Sequence, residues 1–339
     1  MDVDVVYTWV NGNDPAWRTK KEKRLRELGY NVPETANHDS RFIQHDELKY
    51  SLRSLYRFAP WIRKVYIVTD NQIPSWFDRK NDWAIIVDHT DIFEDKSALP
   101  TFNSNAIETQ LHRIPGLSEN YLYFNDDFFL GRPCTKQDFF SKDGKPLVFI
   151  VNKNRFVSEK TVRKEDQVKK KINEYQSGMV NSKNLVYSKT GKYCKYTLAH
   201  GIKIYKKSLM TNLAKDMEPI YSDTARKPFR TYDDIQSFSI HAYYAIFMKL
   251  GVPTLARKMV KRIHVLKNFN TILSRFLYVY VNPEKRNVLS KLKFIQRSKP
   301  FMFCINDEKN VDDSIYKCIN NFLDSFLPDK SPAEKLEEN

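Results

Sequence analysis

The sequence predicts an α/β fold: a mainly parallel sheet with covering helices, joined to a helical insertion and a C-terminal helical region. Three observations predict it. Through the first 150 residues, short β-branched and aromatic runs alternate with helical stretches, the pattern of a parallel sheet covered by helices. Polar clusters stand just after three of those runs, at Asn11-Gly12, Asp70-Asn71-Gln72 and Asn125-Asp126-Asp127. In an open α/β sheet, ligands bind beyond the carboxyl ends of the strands, so these clusters are expected to share one crevice. Finally, 41% of the 339 residues are hydrophobic and 14% aromatic, with only 9 glycines and 15 prolines. That composition supplies a sizeable core and excludes a disordered, low-complexity or fibrous chain.

Taken in order, Val3 to Val10 suits a buried strand and stops at Asn11-Gly12-Asn13-Asp14-Pro15. There Asp14 can cap a helix and Pro15 fits its first turn. That charged helix ends near Gly29. A second helix runs from about Ile43 to Ala59, with Leu48, Leu52, Leu55 and Tyr56 on one face, and Pro60 ends it. Lys64 to Thr69, Trp83 to Asp88 and Tyr121 to Phe124 read as strands, with Asn105 to Arg113 a short helix between the last two. Residues 1–150 thus form the α/β part. The stretch 151–198 is basic and rich in Asn and Ser, and reads as a variable insertion with a helix near Thr161 to Tyr175. Order returns over 199–328, with a helix near Ile235 to Leu250, a core helix or strand at Ile272 to Val281, and a last helix closing with Phe322 to Leu327. Residues 329–339 read as a frayed, flexible tail.

The formal net charge of +15 attracts polyanions: nucleic acid, anionic lipid head groups or phosphorylated molecules. No RRM, zinc-finger or helix-turn-helix signature accompanies it, so nucleic acid is not the expected partner. The four cysteines, Cys134, Cys194, Cys304 and Cys318, form no CxxC pair and no zinc spacing. Asp2 and Asp4 interrupt the first apolar run, so nothing there reads as a signal peptide. No stretch reaches the ~18 apolar residues of a membrane span. A cytoplasmic protein is expected, with peripheral contact at the inner membrane face.

Four constellations carry chemistry. Asn125-Asp126-Asp127 ends a strand flanked by apolar residues on both sides. Adjacent carboxylates repel, burying them unpaired is costly, and a divalent cation relieves both problems. Oxygen ligands at a strand end suit Mg²⁺ or Mn²⁺ when phosphates complete the shell; the alternative is an exposed turn or helix cap. Asn306-Asp307-Glu308 also follows a short apolar run, although a helix N-cap explains it as well. Asn103, Ser104 and Asn105 stand at a helix start, where backbone N–H groups and side-chain amides would hold anionic oxygen or simply cap the helix. His200, upstream of Arg226, Arg230, Asp233 and Asp234, is a candidate general base, with arginine neutralising a transferring phosphoryl group, or else a structural histidine.

Read together, these blocks resemble the Stealth family. The segment from Asp4-Val5-Val6-Tyr7-Thr8-Trp9 to Asn11-Gly12 looks like its first conserved region. The second is matched from Arg41-Phe42 and Asp46-Glu47-Leu48 through Ala59-Pro60-Trp61, Thr69-Asp70, Pro100-Thr101-Phe102-Asn103-Ser104-Asn105-Ala106-Ile107-Glu108 and Phe124-Asn125-Asp126-Asp127. The third is similar to His200 through Phe229-Arg230 and Asp233-Asp234, and the fourth to Cys304-Ile305-Asn306-Asp307 with the Phe322 to Leu327 helix. Gly201-Ile202 departs from the proline-containing step common after that histidine, Asn71 stands where glycine is usual, and Pro228 where arginine is usual.

The resemblance implies a Rossmann-like (GT-A-like) fold and transfer of a hexose- or N-acetylhexosamine-1-phosphate from a UDP-sugar donor to a carbohydrate or lipid-linked glycan acceptor, in capsular or cell-surface polysaccharide synthesis. In that setting, Asp126, Asp127, Asn306 and Asp307 are expected to hold Mg²⁺ or Mn²⁺, and Asp4, Tyr7, Asn11 and Gly12 the uridine end. Asn103, Ser104 and Asn105 would line the sugar-phosphate pocket, Arg230 would stabilise the transferred phosphoryl group, and His200, Asp233 or Asp234 would take the acceptor proton. Two other readings remain: a metal-dependent glycosyltransferase that releases UDP instead of UMP, and a basic, non-catalytic polyanion-binding protein.

Overall fold

Strand β1 (Val3–Thr8) is apolar and buried along nearly its whole length, as a strand covered on both faces must be. In the computed structural model it lies between β2 (Val65–Thr69) and β4 (Asn120–Asn125), with β3 (Ala84–Asp88) outside β2, all four parallel. The structure describes residues 1–29, 32–38, 42, 44–152, 172–192, 196–258, 275–306 and 311–335. The order β3-β2-β1-β4 reverses direction between β1 and β4, where a parallel sheet opens a crevice beyond its carboxyl ends. Registers Thr8↔Val68, Thr8↔Asn125 and Thr69↔Asp88 bring the four strand ends to one edge. This is the expected parallel α/β architecture. Helices α1 (Pro15–Glu27), α2 (Glu34–Asn37), α3 (Glu47–Phe58), α4 (His89–Ile92) and α5 (Ser104–Gln110) fill the connections. Asp14 caps α1 by accepting from the N–H groups of Ala16 and Trp17. The second helix starts at Glu47, later than expected, because Asp46 takes a left-handed conformation.

After β4 the chain turns at Asp126-Asp127 into β5 (Phe128–Leu130), which belongs to a different sheet. The next elements are β6 (Leu147–Asn152), α6 (Glu174–Thr190), β7 (Thr197–Leu198), β8 (Lys203–Lys206), α7 (Lys207–Asp216), α8 (Glu218–Ala225) and α9 (Ser237–Phe247). Strands β9 (Val252–Leu255), β10 (Arg257–Lys258) and β11 (Leu277–Val281), α10 (Val288–Ser298), β12 (Met302–Ile305) and α11 (Asp313–Phe326) complete the order. β8 joins the first sheet antiparallel to β4, with Lys203 opposite Tyr123. Strands β10-β11-β12-β5 form the second sheet, with β5 antiparallel to β12, and β7-β6-β9 the third. Phe129 and Phe303, stacked at 4.9 Å, anchor the second sheet's centre.

Three sequence expectations change. Residues 161–171 of the expected Thr161–Tyr175 helix lie outside the described residues; the observed helix, α6, starts at Glu174 behind an Asn173/Gln176 capping box. It packs against the 232–236 segment, Asn181 Nδ2 donating to the carbonyls of Tyr232 (2.8 Å) and Asp234 (2.9 Å), so this half of the expected insertion is integral to the fold. Nor are residues 331–335 frayed. The Glu334 carboxylate is buried against the Arg53 guanidinium at 2.7 Å, and Lys335 N–H donates to the Trp76 carbonyl at 2.9 Å. Hydrophobic spacing gives no sign of this strap, because a buried ion pair and backbone hydrogen bonds, rather than a periodic apolar face, hold it. Among the described residues no helix is long and apolar enough to cross a membrane.

Candidate active site

The crevice at the β1/β4 switch point is lined by Thr8 and Trp9, Asn125 and Asp126, Ser104, Asn105 and Glu108 of α5, His200, Lys203 and Arg230. Residues from five separate stretches therefore meet, four of them carrying residues expected from sequence.

Asp126 and Asp127 occupy the corner between two sheets. The Asp126 Oδ2 accepts from Gln44 Nε2 at 2.9 Å, and Gln44 Oε1 accepts from Trp9 Nε1 at 2.6 Å, tying the acid to the end of β1. Ile305 N–H donates to the Asp127 carbonyl at 3.1 Å and Cys304 Sγ to its Oδ2 at 3.0 Å, while its Oδ1 is buried without a partner among the described residues. Burial and the neighbouring Asp126 push the Asp127 carboxyl up to about 7. An orphaned carboxylate oxygen beside a second acid fits a hard divalent cation whose remaining ligands are phosphate oxygens and water. No group of three His, Cys, Asp or Glu converges on a metal position among the described residues. Asn306 follows Ile305 and lies next to this corner, but lines a small hollow with His45 and Tyr316; Asp307 lies outside the described residues.

The start of α5 is built around Asp234. Fully buried, its Oδ2 accepts from Asn103 Nδ2 at 2.9 Å and Asn105 Nδ2 at 3.1 Å, and its Oδ1 accepts from Thr231 Oγ1 at 2.9 Å. Burial raises its carboxyl above the usual range despite these bonds. Asp234 is thus occupied in positioning and does not reach the crevice, which corrects its expected place among proton acceptors. Asn103 is also fully buried and caps α5 by accepting from the Asn105 N–H. Ser104 and Asn105 do face the crevice, and Arg230 Nη2 donates to Ser104 Oγ. Asp233 is exposed and outside the lining.

His200 is exposed in the crevice wall, edge-on to Phe128 at 5.3 Å and to Tyr280 at 6.0 Å. The next residue packs tightly: a Cβ on Gly201 would stand 2.7 Å from Met302 Cε, so the end of that side chain would have to shift. Two further ionisable residues complete the site. Lys203 Nζ lies 3.5 Å from Glu108 Oε1, 4.5 Å over the Tyr123 ring and 4.1 Å over Phe238, and burial lowers its pKa. Glu108 Oε2 is buried with no partner among the described residues. Glu108 was within reach of sequence reasoning, since helical spacing puts it on the same face as Ser104. Lys203 was not, because only the pairing of β8 with β4 brings it there.

The expected uridine contacts are not in the crevice. Asp4 lies in the first half of β1, where its fully buried carboxylate pairs with Arg63 at 2.6 Å and accepts from Ser118 N–H at 2.7 Å; parallel strands put that end away from the site. Tyr7 points under α3, its hydroxyl hydrogen-bonded to Ser51 Oγ at 2.7 Å, and burial pushes its pKa up. Asn11 exchanges two 2.9 Å hydrogen bonds with the Gln72 carboxamide, and Gly12 packs where a Cβ would meet Phe42 at 2.5 Å, so both shape the turn behind the wall. Asp70 and His89, at the ends of β2 and β3, line the crevice instead. Asp70 Oδ1 accepts from Lys20 at 2.9 Å, and burial holds the His89 imidazole down to about 4.

Conserved regions 1, 2 and 3 of the Stealth proteins match residues 1–29, 41–148 and 199–247. The capsular polysaccharide phosphotransferase fcs1 of Haemophilus influenzae is 31% identical over 96% of this chain and 84% of its own length. The chain belongs to the Stealth family. An exopolysaccharide phosphotransferase of Streptomyces coelicolor, SCO6023, is 35% identical over 99% of this chain and 53% of its own, and CpsY of Mycobacterium tuberculosis 32% identical over 99% and 58%. The Stealth chain described here thus spans about half the length of these two relatives. Among solved structures, the galactosyltransferase LgtC covers 95% of each chain at 10% identity and a TM-score of 0.42, a likeness too loose to carry function.

Proposed function

We propose that this chain transfers a sugar 1-phosphate from a UDP-sugar to a carbohydrate hydroxyl, forming a phosphodiester and releasing UMP, in capsular or cell-surface polysaccharide synthesis. The observation that carries the reading is the convergence of Asp126, Arg230 with Ser104, His200 and the Lys203–Glu108 pair in one crevice, with Asp127 behind it. The family relatives, exopolysaccharide and capsular polysaccharide phosphotransferases, support the same reading.

The acceptor hydroxyl oxygen attacks the β-phosphorus, the bond to the bridging oxygen breaks, and UMP leaves with that oxygen; the sugar C1–O bond stays intact and its configuration is kept. His200, the exposed imidazole in the wall, takes the acceptor proton. Arg230, oriented by Ser104, and Lys203, held by Glu108, face the charge that develops on the transferred phosphoryl oxygens. Asp126 and Asp127 would hold Mg²⁺ or Mn²⁺, which supplies neutralisation of the donor diphosphate. The nucleoside end runs past Trp9 toward Asp70 and His89 rather than toward Asp4 and Tyr7. The acceptor is a carbohydrate or lipid-linked glycan, with the basic surface favouring work at the cytoplasmic face of the membrane.

The test is to incubate the purified chain with a panel of UDP-sugars, a glycan acceptor and Mg²⁺, then identify the released nucleotide. UMP supports phosphoryl transfer. UDP overturns it in favour of glycosyl transfer, and no turnover with binding alone favours a polyanion-binding protein.

A further inference from the structure

A second cavity, of about 700 Å³, lies between the α4–α5 region and helices α7 and α8, in the size range of small-molecule sites. None of its lining residues lines the catalytic crevice. Its rim is ion-paired: Glu94 with Arg113 at 2.5 Å and Asp95 with Arg226 at 3.0 Å, while Lys215 and Glu218 offset each other in sign. Although the chain is strongly basic, this rim has no net charge to concentrate a phosphate or nucleotide.

The floor is made of groups that both give and take hydrogen bonds. Gln110 Nε2 donates to Thr109 Oγ1 at 2.9 Å, and its carboxamide oxygen adds an acceptor. Burial and the adjacent Arg113 hold the His112 imidazole down to about 4, so at neutral pH it is uncharged; the Thr109 backbone engages the ring, and its buried Nδ1 has no partner among the described residues. The buried Tyr221 hydroxyl has no partner among the described residues. A purely apolar occupant would leave such groups unmet, at a cost of about 1–3 kcal/mol each. A ring of hydroxyls with an apolar C–H face satisfies them and also covers the methyl groups of Ala98 and Ala225.

We propose that this cavity is a second saccharide site, taking an uncharged sugar unit apart from the catalytic crevice. It is mechanically joined to the crevice. Ser104, Asn105 and Glu108 of α5 face the crevice while Thr109 and Gln110 face the cavity, and Arg226 on the rim lies four residues before Arg230. The Phe102 N–H to Pro228 carbonyl bond, 2.7 Å, fastens that connecting segment to the start of α5. Assigning the occupant as part of the acceptor glycan rests on the proposed function; binding of the sugar does not.

Saturation-transfer NMR on the whole chain tests it with lactose, maltose and N,N′-diacetylchitobiose, each at a few times the ~1 mM dissociation constant of a weak site. At least one is expected to receive saturation from the native protein. Ala214→Trp, which fills the cavity from α7, and Gln110→Leu, which removes polar partners at similar volume, are each expected to remove the signal. Arg230→Ala, which alters the crevice instead, is expected to keep it. Absence of saturation with all three sugars overturns the site, as does a signal that survives in folded Ala214→Trp or Gln110→Leu, or one lost only in Arg230→Ala. Stronger saturation of glucose 1-phosphate than of every neutral sugar, abolished by Ala214→Trp, overturns the ligand class. UMP release, measured in parallel on Gln110→Leu, fails separately if the catalytic reading is wrong.

Discussion

Asp234 offers the sharpest separation of chemistry from positioning. Its buried carboxylate holds Asn103, Asn105 and Thr231 and does not itself line the crevice. Because burial raises its carboxyl above the ordinary value, the neutral form is favoured in the fold relative to water, and the ionised form costs stability as pH rises through that range. Asp234→Asn resembles the neutral acid. Its oxygen can keep accepting from both asparagine amides while its own amide donates to Thr231, so stability should stay within about 1 kcal/mol of native and turnover within about tenfold. Asp234→Ala removes the acceptor altogether. Asn103 Nδ2 retains the Lys227 and Phe229 carbonyls at 3.3 Å, but Asn105 and Thr231 lose the partner named here. At about 1–2 kcal/mol for each orphaned donor, the loss is about 2–4 kcal/mol, and a misplaced Ser104–Arg230 pair should lower kcat as well. Urea unfolding at pH 7.5 together with kcat and KM for UMP release measures both. A folded Asp234→Asn of native stability that has lost the ~10²–10⁴-fold of a general base would refute the positioning role.

Asp127→Asn should abolish turnover and weaken Mn²⁺ binding in calorimetry by more than the ~10–100-fold of an outer-shell change; native affinity would remove Asp127 from the cation site. His241 is buried, accepts from the Lys206 N–H at 3.1 Å, and is held down to about 3 by burial, so its contribution is complete above its ordinary 6.5 and lost as pH falls. At ~1.4 kcal/mol per pH unit, the native chain should lose about 2 kcal/mol from this group between pH 6.5 and 5, a loss absent in His241→Gln; parallel urea midpoints for both proteins would count against it. Glu334→Ala takes from buried Arg53 its 2.7 Å partner and leaves only the exposed Asp324, 3.8 Å away, as counter-charge, so it should cost up to about 3–5 kcal/mol in a denaturant titration. A cost under about 1 kcal/mol would mean the C-terminal strap is dispensable.

Much of the site was legible because its residue types are chemically unusual in their local setting. Two adjacent acids at the end of an apolar strand, and Asn-Ser-Asn at a helix start, are expensive or conspicuous wherever the chain runs, and Asp126, Ser104 and Asn105 are found in the crevice. His200 and Arg230, distant in sequence, also reach it. Asp4, of the expected uridine set, lies away from the crevice for a geometric reason. A strand reads the same from either end in composition, yet only its carboxyl end meets the crevice, so Asp4 pairs with Arg63 while Thr8 and Trp9 line the site.

From the amino-acid order alone came the parallel α/β class, the four parallel strands of the first sheet and most of the polar groups that carry chemistry, because burial periodicity and the cost of crowded charge are local properties. Tertiary structure alone decided that Lys203 opposes Tyr123 beside Glu108, that Asp234 is a brace, and that the C-terminal residues strap Arg53. Each depends on which strand lies beside which and which groups share a buried volume, and those contacts join residues with no periodic relation along the chain.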